Sequence, residues 1–282
     1  MGRSFSSQNL GVIVPRIASS RSDFRVNPLK IHLRVVFAFI IREIATRYGT
    51  KAGGYIWAFV QPIAFIALMG ALMGSVGRMP AMGESFILFY STGYMAFNMF
   101  RAMEDYLTSS ISANRALLTY PIVAPIDAVI GRFVLEALTS ILVAAVIIGS
   151  AYHYARHTSP IIWRDVFEAI VFAWALAIGV AMTNIVLFFH YPLYAKFYAI
   201  VTRPLFLLSG VFYVPSAMPK PFSTYLLYNP ITHIVILFRE GFYGESPVSG
   251  LDMSFVLETS GVALALGFTL FTFFNVSRLR EK

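Results

Sequence analysis

The chain has 282 residues, of which 57% are hydrophobic, 16% aromatic and only 13% charged, and its mean hydropathy is +0.69. That balance excludes a soluble globular enzyme, and the absence of cysteine excludes disulfides, thiolate metal sites and cysteine nucleophiles. A net charge of +8 in so apolar a chain points to cytoplasmic loops rather than to nucleic acid.

Nine of the 22 basic residues fall in the first 51 positions, against only Asp23 and Glu43, which marks this end as cytoplasmic. Leu10 to Val14 is stopped by Pro15 and Arg16, too short for the core of a cleaved signal, so the N-terminus is expected to be retained. Residues 1–27 read as a cytoplasmic tail open to disorder, and 28–52 as an amphipathic interface helix. Between Arg34 and Arg42 lie only seven apolar or small residues, about 10 Å of helix, which cannot cross a bilayer. Ile31, Val35, Phe39 and Ile40 fall on one side and Lys30, Arg34, Arg42 and Glu43 largely on another, as in a helix lying on the membrane or a plain juxtamembrane anchor.

Residues 53–282 read as an all-α polytopic domain, because uncharged runs of 26, 19, 27 and 19 positions occupy 52–77, 137–155, 169–195 and 259–277. Spans are expected at about 54–76, 85–101, 126–152, 166–190, 198–213 and 253–275. Gly70 and Gly74 give the first a small-xxx-small spacing that permits close approach. The run 221–238 holds 18 uncharged positions but also Pro221, Asn229-Pro230 and His233. Parity decides its reading: Arg278, Arg280 and Lys282 make the C-terminus cytoplasmic too, and two cytoplasmic ends require an even number of crossings. Residues 214–245 are therefore expected as a re-entrant helix pair between spans five and six, broken at its prolines. With six spans, sixteen basic residues fall on cytoplasmic segments and five on external ones.

No Gly-Lys dipeptide and no His-Glu-x-x-His motif occur, so the chain has neither a phosphate loop nor that zinc site. His153 and His157 stand four apart without a third ligand nearby and read as solvated loop residues. The connection at about 105–119 is more informative. Leu107, Ile111, Asn114 or Arg115, and Leu118 recur at helical spacing before Pro121 and Pro125, with Tyr106 beside them. An amphipathic helix there needs a partner, either the chain's own cytoplasmic helices or a separate soluble subunit.

A resemblance covers nearly the whole chain from Leu29 onward. It is carried by Arg42-Glu43, Arg47-Tyr48-Gly49, Gly54-Tyr55-Ile56-Trp57-Ala58, Gln61-Pro62, Asn114-Arg115, Pro121, Pro125-Ile126-Asp127 and Arg132. It continues through Leu208-Ser209-Gly210-Val211-Phe212-Tyr213, Met218-Pro219, Tyr228-Asn229-Pro230, His233, Arg239 and Gly241-Phe242-Tyr243-Gly244. The chain resembles the permease subunit of type-2 ABC exporters of bacterial polysaccharide, most of all the capsule polysaccharide export inner-membrane proteins. The resemblance implies a homodimer in the inner membrane and a lipid-linked polysaccharide substrate. It also implies two copies of a cytoplasmic ATPase docked through 105–119, and in the capsule branch periplasmic adaptor and outer-membrane export proteins. It implies no cofactor on this chain, with ATP and Mg held by the ATPase.

Two stripes are candidates for the substrate pathway. Tyr90, Tyr94, Phe97 and Arg101 recur on one helix face, as do Arg203, Phe206, Gly210 and Tyr213, and each suits either sugar stacking in a wet path or ordinary helix packing. Arg132 either pairs with Glu136 four residues on or attracts an anionic group of the glycan. Phe222, Tyr225, Tyr228 and Phe242 are outer interfacial anchors or an aromatic exit. The classes in play are a glycan exporter permease, including O-antigen and teichoic-acid types, a related lipid or drug permease, and an integral-membrane transferase. The last lacks a convergent set of acidic or histidine residues.

Overall fold

The computed structural model describes residues 28–48, 55–75, 79–120, 122–156, 159–244 and 250–274. The expectations for 1–27, for much of the 49–54 segment, for His157 and for the basic C-terminal tail lie outside these. Among the described residues every regular element is helical.

Helix α1 (Pro28–Tyr48) is followed by α2 (Ile56–Ser75) and α3 (Phe86–Thr108). Two single turns, α4 (Ser110–Ala113) and α5 (Arg115–Leu118), lead into α6 (Pro125–Tyr154) and α7 (Trp163–His190). The chain continues through α8 (Pro192–Thr202), α9 (Leu205–Leu208), a 3-10 turn at Pro215–Ala217, α10 (Phe222–Leu227), α11 (Pro230–Tyr243) and α12 (Met253–Phe273). Side chains set the starts. Ser85 accepts from the Leu88 amide, Asn229 from the Ile231 amide ahead of Pro230, and Asp252 from the Phe255 amide. Asp127 accepts the Ala124 amide at 3.0 Å just beyond Pro125.

Helix α3 is the hub. It packs against α2, α6, α7 and α11, while α12 lies along α7 and α1 crosses α6. The α7–α12 contact is backbone on backbone: a Cβ on Gly179 would stand 2.3 Å from the Ala263 carbonyl carbon, and one on Gly267 2.4 Å from the Gly179 oxygen. Small residues at that crossing let the helices close to a distance no larger side chain permits.

Helices α2, α6, α7 and α12 are long and apolar enough to cross a membrane. Three further expectations meet a different local geometry. Helix α3 continues to Thr108 instead of ending near Arg101, because Arg101 is neutralised by Glu104 and Asp105 on the next turn. The connecting stretch at 105–119 is not one helix but the end of α3 plus two separate turns, interrupted at Ser109 and Asn114. Asn114 turns its amide inward to the Ser110 carbonyl and to Glu43. The segment 198–213 is likewise split at Arg203-Pro204 into α8 and α9, the proline having no amide proton to continue the ladder.

Helix α1 buries a face that is apolar in its first half and ionic in its second: Phe39 and Glu43 are both buried against the bundle. Phe39 fits because position 131 is glycine, where a Cβ would approach within 2.9 Å of the Phe39 Cβ. The row Leu33, Phe37, Ile41 and Ile44 is left exposed on the other side.

Candidate functional site

At the α1 end of the bundle, Glu43 gathers the segment expected to couple the chain to a partner. Its carboxylate accepts from Arg132 Nε at 2.9 Å, Asn114 Nδ2 at 2.9 Å and the Tyr106 hydroxyl at 2.9 Å. Arg132 also donates to the Tyr106 carbonyl at 2.8 Å and to Ser109 Oγ at 2.7 Å. Burial alone would raise the Glu43 carboxyl, but the bonds from Arg132, Asn114 and Tyr106 outweigh it and hold it below the ordinary carboxylate value.

The Arg132–Glu136 pairing is replaced. Arg132 bonds to Glu43, and Glu136 is engaged instead by Arg47, so two residues of α1 take up both members of the expected pair. The reason is reach: α1 lies across this stretch of α6 and presents opposite charges to it. Arg42 bonds to Asn114, and His32 stands 3.0 Å from Asp127. The Tyr106 ring lies 4.2 Å from the Arg47 guanidinium and 4.4 Å from that of Arg132.

Of the six residues at 106–118 singled out in the sequence, Leu107, Ile111, Asn114 and Leu118 are buried and Tyr106 is half-buried, all turned into this chain. Arg115 is exposed, as are Ser112, Ala116 and Thr119 beside it. Arg101 and Arg115 line a cleft of about 390 Å3 with Ile111, Glu104 and Tyr198. Glu104, buried, accepts from Asn184 at 2.9 Å and Thr108 at 3.1 Å besides its ion pair with Arg101 at 2.7 Å.

The aromatic stripe of α3 is brought together with Phe206 in one cluster. Tyr94 stacks on Phe65 of α2 at 4.7 Å, Phe97 meets Phe206 at 5.1 Å, and Phe206 meets Phe212 at 5.0 Å, with Tyr90 at 6.1 Å from Phe212. Tyr90 and Phe97 are buried and Tyr94 half-buried. The rings therefore bind α2, α3 and the α9 region to one another in this state. Arg203 stands apart and exposed, and the Tyr213 hydroxyl closes its own loop by donating to the Leu207 carbonyl at 2.7 Å. Phe222, Tyr225 and Tyr228 are exposed around α10, whereas Phe242 is buried in α11 and does not join them.

The residue that fastens this second region was quoted in the sequence only as part of the resemblance, with no role at a site. Arg239 of α11, 2% exposed, donates to the carbonyls of Gly210 at 2.6 Å, Val211 at 2.6 Å and Tyr213 at 3.2 Å. Its guanidinium lies 4.0 Å from the Phe89 ring, and Gly93 gives it room, since a Cβ there would be 2.3 Å from Nη2. An arginine closing the largely apolar run 231–238, directly before Glu240, was the available signal. Phe65 and Asn184 were also missed: nothing in its local sequence separates Phe65 from ordinary span residues, whereas Asn184 is the one asparagine in the uncharged run 169–195.

Residues 34–243 match the family model described as ABC-2 type transporter. The chain is 28% identical over 259 residues to the polysialic acid transport protein KpsM of Escherichia coli, covering 89% of this chain and 96% of that protein. It is 31% identical over 261 residues to the capsule polysaccharide export inner-membrane protein CtrC of Neisseria meningitidis, covering 88% and 93%. A weaker likeness, 22% over 222 residues and covering 76% and 83%, links it to the O-antigen export system permease protein RfbA of Klebsiella pneumoniae.

Proposed function

Because this chain belongs to the ABC-2 type transporter membrane family, we propose that it is the transmembrane subunit of an ATP-driven exporter. Its cargo is lipid-linked capsular polysaccharide, carried across the bacterial inner membrane. The carrying observation is likeness to capsule and polysialic acid transport proteins along 88–89% of the chain, against a shorter and weaker likeness to an O-antigen permease.

In this reading the chain crosses six times, through α2, α3, α6, α7, the split α8–α9 segment and α12, with both ends in the cytoplasm. Helix α1 lies in the cytoplasmic interface with Leu33, Phe37, Ile41 and Ile44 toward lipid, and the stretch from the 3-10 turn to α11 re-enters from the periplasmic side. Two copies form the permease. A separate ATPase, two copies of it holding ATP and Mg, docks on the exposed side of α4–α5 around Arg115. Leu107, Asn114 and Leu118 back that surface from within. Force applied there reaches α1, α3 and α6 through Asn114, Glu43 and Arg132, which share one network. Parting of the ring cluster would give the polymer its aromatic path, and in the capsule branch periplasmic adaptor and outer-membrane proteins take the polymer onward.

The test is surface polysaccharide in cells whose own copy is deleted and replaced. Arg115→Glu is expected to lower both ATPase copurification and export at unchanged membrane abundance. Tyr94→Ala is expected to lower export alone. Undiminished surface polysaccharide in the deleted strain would overturn the assigned function, and normal ATPase recovery with Arg115→Glu would overturn the docking surface.

A further inference from the structure

Between the consecutive helices α6 and α7 the Phe133 and Trp174 rings stand 5.7 Å apart, edge to face. Toward the connection between them a groove of about 260 Å3 opens, floored by Met99 of α3 and by Phe238 and Phe242 of α11. The hydroxyl in its wall, that of Tyr152, donates to the Ser159 carbonyl at 2.6 Å and so asks nothing of water. A Cβ on Gly149, also in the wall, would meet nothing within 4 Å. Both helices are long and apolar enough to cross a membrane, so the open side faces hydrocarbon. Apolar space left empty there forfeits the dispersion contacts that close packing supplies.

We propose that this groove binds one acyl chain of a bilayer phospholipid, its headgroup lying at the α6–α7 connection. Two features select that occupant. The mouth carries Trp163, 69% exposed, a residue suited to the headgroup level, and the exposed cation Arg156 lies on the connection beside it, complementary to a lipid phosphate, while Arg164 in the first turn of α7 is paired with Glu168 at 2.9 Å. The groove also lies on the face of α3 opposite the ring cluster: Met99 follows Tyr90 by nine residues, or two and a half helical turns. A lipid here is therefore separated from the aromatic region assigned to the polymer. The inference rests on the reading that α6 and α7 cross a bilayer.

The full-length protein, taken from bilayers of a single phosphatidylethanolamine into mild detergent and weighed intact by mass spectrometry, tests it. Wild type should retain one more phospholipid per protomer than Gly149→Leu or Ala145→Phe, which fill the groove from α6. Gly261→Leu on α12, where a Cβ also meets nothing within 4 Å, should retain lipid as wild type does. Equal retention in all four proteins, or equal loss in Gly261→Leu, would overturn the site. So would protein from exporting cells whose retained molecule carries sugar, since that would make the groove a site for the glycan's anchor. Export is not measured, so failure here leaves the transport reading standing, and loss of export in Arg115→Glu leaves the lipid count unchanged.

Discussion

Glu43 is buried with a buried arginine as its partner, which makes the outcome of cutting the pair asymmetric. Removing one member leaves the other as an unpaired buried charge. Glu43→Ala should therefore cost about 3–5 kcal/mol of stability, while the double change Glu43→Leu with Arg132→Met should recover much of it. Tryptophan-monitored thermal unfolding in detergent checks this. The pH dependence has a definite sign, because the folded-state carboxyl is held below its ordinary value of 4.5. The network's contribution should be intact above that value and fade as pH falls below it, and Glu43→Gln should flatten the dependence. Gly93 makes the second residue-scale prediction. Alanine there must displace either the Arg239 guanidinium or the Val211 carbonyl, the latter 3.0 Å from the new Cβ. The expected cost is about 1–3 kcal/mol, the range for overpacking a filled site, read as a lowered unfolding midpoint.

At the scale of elements, the α7–α12 crossing is the contact least able to absorb change, because its near neighbours are backbone atoms that cannot rotate away. Gly179→Leu should drive the helices apart and lower the unfolding midpoint. Leucine at Gly74 of α2, where a Cβ meets nothing within 4 Å, should leave it within error of wild type. A cysteine at exposed His153, near the end of α6, should react with an impermeant thiol reagent added to the periplasm, and one at exposed Ser112 should not. Labelling of Ser112→Cys in intact cells would reverse the proposed orientation. Much of this element map was legible from charge spacing alone, as α2, α6, α7 and α12 each overlap one of the four long uncharged runs. The continuation of α3 was not, because an arginine read as a span boundary is neutral in effect once Glu104 and Asp105 sit on its next turn.

Across the whole molecule, what the sequence concealed is the choice of distant partner. Arg132 had an acidic residue four positions away and took one 89 positions away instead. That preference depends on where α1 crosses α6, which no local spacing encodes. The aromatic stripe of α3 was legible as a stripe, yet its neighbours Phe65 and Phe212 are supplied by remote segments. Helix α2 carries a last consequence. Only Pro62 and Ile66 among its residues are fully buried, and beyond the ring contacts of Phe65 its outer face, with Ile56, Trp57, Ile63, Leu68 and Leu72 exposed, owes little to contacts made within this chain. Its residence in the bilayer must rest on its own transfer free energy, settled as the nascent helix partitions and before the bundle assembles. Detergent melting, which reports lost helix contacts, should then be almost blind to substitutions on that outer face of α2, whereas the yield of membrane-integrated chain should follow their polarity closely.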